Sequence, residues 1–220
     1  MSDRNDIIPT GFYALDDLLD GGPRRGELIV VTGPRGAGKT ILLLQVLGER
    51  VRQGGRVLFA GGEQLDKWMR ELAQRLGADG IDVLDSKADG VYVDEVTLRA
   101  REIGADVVVV DSLQLAKVSA DVEEDFGNRV VVEDVIHELK AFAKTGTIVF
   151  LICHQTKQGT LATSPQKIAK VADAVLRLDV VCKKDEDGRL YDTGVRELSV
   201  TGSRFRRSLR MTEGGFSPLP

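Results

Sequence analysis

The stretch whose reading decides the fold is Gly33-Pro34-Arg35-Gly36-Ala37-Gly38-Lys39-Thr40. It satisfies the pattern G-x-x-x-x-G-K-[ST], and its context fits. An apolar run at residues 28–32 (LIVVT) leads into it, and a helical pattern at residues 41–52 follows. The glycines let the backbone wrap closely, so that consecutive N–H groups point inward as an anion nest. The helix starting near Lys39 adds its positive dipole end to the same place. All eight residues are therefore read as a phosphate-binding loop. Lys39 is placed to reach the terminal phosphates, and the Thr40 hydroxyl to coordinate Mg²⁺. The bland alternative is a chance glycine loop between a strand and a helix; motif and context together weigh against it.

Working outward, strand-like and helix-like segments alternate. Residues 56–60 (RVLFA) read as a second strand. Residues 64–76 follow as a helix with Leu65, Trp68, Leu72, Ala73 and Leu76 on one face. Residues 81–84 suit a short strand, and 91–103 a helix ended by Gly104. Residues 106–111 (DVVVVD) are β-branched throughout, as in a strand buried on both faces. Residues 129–145 form a long helical pattern with Val132, Val135, Ile136, Leu139 and Phe142 as its core stripe. Residues 147–153 (TIVFLIC) and 172–178 (ADAVLRL) read as further strands. Such alternation implies parallel pairing with right-handed crossovers. After Val180 the character changes. Residues 183–189 (KKDEDGR) form a charged turn with Asp187-Gly188 at its tip, and 195–201 and 205–211 suit antiparallel strands. The expectation is one α/β domain over residues 1–220. Its central, mostly parallel sheet carries helices on both faces and is extended by a C-terminal antiparallel hairpin.

Composition bounds the function. Hydrophobic residues make up 42% of the 220, which is enough for a full core on both faces of a sheet. Aromatic content of 5%, with the single tryptophan Trp68, is low for a protein that binds single strands mainly by stacking. A net charge of −4 weighs against nucleic-acid binding by the whole surface, though not against a local basic patch. Cys153 and Cys182 match no metal spacing and read as buried free thiols in a reducing compartment. No apolar stretch approaches the roughly 20 residues a bilayer crossing needs. Residues 1–9 carry no signal-peptide pattern, so a cytoplasmic protein is expected.

Two carboxylates complete the candidate site. Asp111 ends a buried strand, the position from which a carboxylate holds Mg²⁺, usually through water. Glu63 follows the strand at 56–60, read as lying next to the loop strand, where it can polarise an attacking water. Its alternative is a helix-start residue favoured by the dipole.

Several segments resemble the RecA-fold ATPases, in particular the bacterial RadA/Sms recombination ATPases and the hexameric DnaB-type helicases. Ile8-Pro9-Thr10-Gly11-Phe12-x-x-Leu15-Asp16 resembles the segment that precedes their loop, and Asp111-Ser112-Leu113-Gln114 their Walker B segment. His154-Gln155-Thr156-Lys157-Gln158-Gly159 is similar to the H-V-T-K-x-G segment of RadA/Sms. Ala172-Asp173-Ala174-Val175-Leu176 and Met211-Thr212-Glu213-Gly214-Gly215-Phe216 resemble the strands that follow. KaiC-like ATPases share the layout with weaker local matches. The resemblance implies a RecA-like P-loop fold, ATP and Mg²⁺ as cofactors, and a homo-oligomer, a hexameric ring or filament, with ATP shared between subunits. It implies Glu63 as catalytic base, Gln155 as the switch that senses the γ-phosphate, and Arg204 as a finger acting on a neighbour's ATP. Gln155 could equally be a capping amide, His154 a structural residue and Arg204 a solvated hairpin charge. The finger lysine of K-N-R-F-G is replaced by Gly202, with Arg206 and Arg207 close by. The zinc module and protease-like domain of RadA/Sms and the collar of DnaB are missing, so a bare motor core is expected.

The resemblance also places DNA-contacting loops after two strands. The first, residues 116–128, contains Asp121, Glu123, Glu124 and Asp125, which repel phosphate. The second, residues 156–170, carries Lys157, Lys167 and Lys170, suited to phosphate contact or simply to solvent. The leading expectation is a DNA-stimulated, oligomeric ATPase. The alternatives are a KaiC-like regulatory ATPase that switches a protein partner without DNA, and a nucleotide-binding module without useful turnover.

Overall fold

The computed structural model describes residues 6–61, 67–87, 90–119, 129–155 and 165–219. The strands are β1 Leu28–Gly33, β2 Val57–Gly61, β3 Asp82–Leu84, β4 Val91–Tyr92, β5 Val107–Asp111 and β6 Ala116–Lys117. They continue with β7 Ile148–His154, β8 Ala174–Lys184, β9 Leu190–Val200, β10 Arg206–Thr212 and β11 Gly215–Pro218. The helices are α1 Tyr13–Leu18, α2 Lys39–Arg52, α3 Lys67–Arg75, α4 Val93–Ile103, α5 Arg129–Ala143 and α6 Pro165–Val171. Nine strands form one sheet in the order β11-β10-β9-β8-β1-β7-β5-β2-β3. From β8 to β3 every pairing is parallel, and β9, β10 and β11 add antiparallel strands at the other edge. Among the described residues no helix is long and apolar enough to cross a membrane.

The sheet separates two cores, and strand alternation decides which residue joins which. Ile29, Val31, Phe59, Val107, Val109 and Phe150 face one side, under α1, α2 and α3. Leu28, Val30, Leu58, Val108, Val110 and Leu151 face the other, under α4, α5 and α6. This explains the unbroken valine run of β5, whose residues are all buried. Each of these valines contributes about 1.5–3 kcal/mol by leaving water. A charge has nowhere to go until the strand emerges at Asp111.

The structure departs from the sequence expectations in four places. Residues 91–92 are not helical but pair with β6, and α4 starts at Val93 with Asp94 and Glu95 in its first turn. Part of the expected loop at 156–170 is helix α6, opened by Pro165 and anchored by Ile168. Ile168, Ala169 and Val171 crowd the end of this seven-residue segment, too short a run to show a helical period. The antiparallel extension is larger than a two-stranded hairpin, because β9, β10 and β11 all join it and β9 already pairs with β8 from Leu176 to Lys184. The outer half of that pair leaves the core and exposes apolar and polar side chains alike, Leu190, Tyr191 and Cys182 among them, so no alternation marks it and Cys182 is not the buried thiol expected. Finally, β2 is not next to β1: β7 and β5 lie between them, since crossovers decouple chain order from spatial order.

Asp106 ties the layers together. It accepts the Arg56 N–H at 3.0 Å and the Arg50 guanidinium of α2 at 3.0 Å, and faces Arg25 at 3.4 Å. Burial alone would raise its carboxyl, but these donors and charges outweigh it and hold the group below the usual carboxylate range. The stabilisation is fully present above the ordinary value of 3.8 and is lost as pH falls through the lower, folded one. Asp106→Asn should therefore cost about 1–2 kcal/mol at neutral pH, after screening of a partly exposed site. Urea unfolding should show the gap from wild type closing in acid; a gap that persists at low pH would contradict this account.

Candidate nucleotide-binding site

The expected site residues gather at the carboxyl ends of the parallel strands. Gly33 pairs with His154, and Asp111 lies level with both Ile152 and Gly61. The loop between β1 and α2 has no room at its first glycine. Gly33 has φ of +148°, and a Cβ there would stand 2.2 Å from the Leu178 carbonyl oxygen of β8. Gly38 has φ of +98°, and its Cβ would meet the Phe216 ring at 2.6 Å and the Met211 sulfur at 3.2 Å. The C-terminal strands thus lie against the loop.

Lys39 is 3% exposed, and its ammonium donates to the carbonyls of Gly33 and Pro34, both at 2.9 Å. Burial pulls its pKa down to about 8, although the Asp111 charge works the other way. An anion bound beside it would push that value back up by favouring the charged form. The Thr40 hydroxyl donates to Asp111 Oδ2 at 2.7 Å across 71 positions of chain. A hydroxyl and a carboxylate in mutual reach, beside an anion nest, fit Mg²⁺, which takes hard oxygen ligands, few of them from protein.

Around Asp111 the strand ends are tied to each other. His154 Nε2 lies 3.7 Å from Asp111 Oδ1, and its Nδ1 is buried with no hydrogen-bond partner among the described residues. The Gln114 amide spans the His154 main chain, donating to its carbonyl at 2.9 Å and accepting its N–H at 3.2 Å. The next residue, Gln155, donates its N–H to the Gly33 carbonyl at 3.2 Å. Gln155 is thereby joined to the loop through its main chain. Glu63 and Lys157 lie outside the described residues.

The other expected residues stand apart. Lys167 and Lys170 are on α6, both exposed, and Lys167 forms an ion pair with Glu133 of α5. Arg204 lies in the exposed turn between β9 and β10, its guanidinium 5.6 Å from the Phe205 ring centre. That turn sits at the opposite end of the sheet from the loop: Thr201 bonds Val175, at the start of β8. Arg204 is thus far from the loop of its own chain. Arg206 pairs with Glu197 at 2.9 Å and Arg207 with Asp17.

Sequence reasoning missed Arg196, which is 1% exposed and donates to the Ala37 carbonyl at 3.0 Å. It forks onto Asp192 at 2.8 and 2.9 Å, and that bond, with the Gly194 N–H, holds the Asp192 carboxyl below the usual range. The available signal was its phase: Arg196 falls on the same strand face as the buried Leu198. Gln114 was quoted only as part of a motif, since its bracing role depends on β7 lying beside β5.

The AAA domain family matches residues 5–160. The chain belongs to that family. It is similar to the DNA repair protein RadA of Aquifex aeolicus, 30% identical over 217 residues, covering 96% of this chain and 46% of the relative. RadA of Escherichia coli is 33% identical over 207 residues, covering 89% and 44%. Protein RecA of Thermus thermophilus is 34% identical over 192 residues, covering 80% and 55%. The chain therefore spans about half the length of these relatives. With its phosphate loop, mostly parallel sheet and C-terminal antiparallel strands, this AAA-domain chain has a RecA-like α/β P-loop fold.

The close approach at Gly33 generates a prediction. Gly33→Ala combines a strained φ with a clash against main chain, and should destabilise the protein by about 2 kcal/mol or more. A thermal unfolding midpoint equal to wild type would mean that β8 yields and the contact is not a constraint.

Proposed function

We propose that residues 1–220 act as a single motor domain that binds ATP·Mg²⁺ at the eight-residue loop and hydrolyses it in an oligomeric, DNA-associated assembly serving repair or recombination. The observation that carries the reading is the 2.7 Å bond from the Thr40 hydroxyl to Asp111 beside the buried Lys39. In it, Mg²⁺ is held by Thr40 and Asp111 and supplies charge neutralisation on the phosphates. Lys39 and the loop N–H groups bind and orient the terminal phosphates. Glu63 takes the proton of the attacking water, and Gln155 reports the state of the γ-phosphate to the strand ends braced by Gln114. Arg204 serves a neighbouring subunit. Its place at the far end of the sheet supports a role in trans, within a homo-oligomer that holds ATP between subunits. The DNA association and the repair role rest on the similarity to the DNA repair protein RadA of two bacteria. Lys157, Lys167 and Lys170 are the candidate phosphate contacts.

A second reading, a KaiC-like ATPase that switches a protein partner, is favoured by one observation. Lys167 is already neutralised by Glu133, in a chain of net charge −4.

Steady-state ATP hydrolysis with and without single-stranded DNA separates these readings. Lys39→Ala should lower turnover by about 10²-fold or more. Glu63→Gln should lower it by about 10²–10⁴-fold while leaving nucleotide binding in place. DNA stimulation supports the repair motor, and DNA-indifferent turnover supports the protein switch. No turnover in wild type, or turnover kept by Lys39→Ala, would overturn both.

A further inference from the structure

Arg196 is a charge buried where an apolar side chain would suffice. It lies in phase with Leu198 on the inward face of β9 and opposite Leu209 of β10, both fully buried. Burying a guanidinium is costly unless every donor is used, and replacing a buried ion pair by apolar residues is often neutral. Here all three nitrogens are used. Nη1 and Nη2 fork onto Asp192, and Nη1 also donates to the Val195 carbonyl at 3.0 Å. Nε reaches out of the strand to the Ala37 carbonyl at 3.0 Å. That last contact has no counterpart in a role confined to holding the hairpin together.

Peptide geometry gives the contact its meaning. In a planar trans peptide the C=O and the following N–H point in opposite directions. A carbonyl of Ala37 fixed toward β9 turns the Gly38 N–H away from β9, toward the inside of the loop. Phe216 and Met211 press on Gly38 from the same C-terminal strands. Lys39 holds the first two carbonyls of the loop, those of Gly33 and Pro34. The loop is thus set from both ends.

We propose that Arg196 is a positioning residue for the phosphate loop, fixing the Ala37–Gly38 peptide so that the Gly38 N–H is presented to the nucleotide phosphates. The inference rests on the nucleotide site proposed above, and the test separates the two. Affinity for Mg·ATPγS is measured by calorimetry well below the unfolding temperature. The proteins are wild type, Lys39→Ala, Arg196→Met, Arg196→Lys and the core control Leu198→Ala. Arg196→Met keeps the bulk without the donors and should bind about tenfold or more weakly, as for loss of an aligned anion donor. In turnover, KM for ATP should rise by more than kcat falls. Arg196→Lys cannot span both Ala37 and Asp192 and should lose severalfold. Leu198→Ala should unfold at lower temperature yet bind within about twofold of wild type, since it removes only core contacts. Wild-type affinity in the folded Met or Lys variant overturns the proposal, as does an equal loss in Leu198→Ala. If the Met variant does not fold, the Lys variant decides alone. Wild type that fails to bind Mg·ATPγS overturns the nucleotide reading, and this one with it. Binding lost in Lys39→Ala but unchanged in the Arg196 variants overturns this one alone.

Discussion

The structure depends on the burial of helix α2 across the middle of the sheet. It touches β1, β7, β5, β2 and β11, with Leu42, Leu43 and Leu47 withdrawn from water. A helix packed over so many strands has little freedom to rotate or slide. Its two ends are also tied to the two ends of one strand. Thr40 in the first turn bonds Asp111, where β5 ends, and Arg50 near the last turn bonds Asp106, where β5 begins. The helix therefore runs antiparallel to β5 and is fixed in register with it. The same constraint places Lys39 and Thr40 relative to the carboxylate they serve.

The C-terminal strands act at both ends of the sheet. β8 runs parallel to β1 and brings the Leu178 carbonyl against Gly33, which excludes any side chain there. β9 reverses direction, so it passes the loop first, with Arg196 on Ala37, and reaches the opposite end at the turn holding Arg204. One strand thus carries a residue for its own loop and leads to a residue directed away from it. β10 and β11 return to the loop with Met211 and Phe216. The extension covers the loop and reaches the far end of the sheet, two tasks that a strand and its antiparallel partner naturally divide.

Residues with local causes were legible in advance. The glycines and Lys39-Thr40 announce an anion nest because its spacing is fixed by one turn of backbone. The valine run ending in Asp111 announces a fully buried strand because no residue in it tolerates water. Six of the eight positions from Gly33 to Thr40 make specific contacts: Gly33, Pro34, Ala37, Gly38, Lys39 and Thr40. Less was legible where the cause is remote. Helix α6 was missed because it is held by Ile168 against α5. The outer β8–β9 ribbon was missed because both of its faces meet solvent, Leu190 and Tyr191 included, so burial imposes no alternation on it. The position of β2, separated from β1 by β7 and β5, could not be read from chain order.

The sequence by itself determined the fold class, the loop, its lysine and threonine, and the carboxylate at the end of β5. Hydrophobic periodicity and short-range backbone geometry suffice for these. Only the tertiary structure decided which residues from distant segments meet: Arg196 with Ala37, Gln114 with the His154 main chain, and Lys167 with Glu133. It also decided that Arg204 points away from its own site. These pairings depend on strand order and register, which are set when the whole sheet buries its two faces, and no local pattern of residues encodes them.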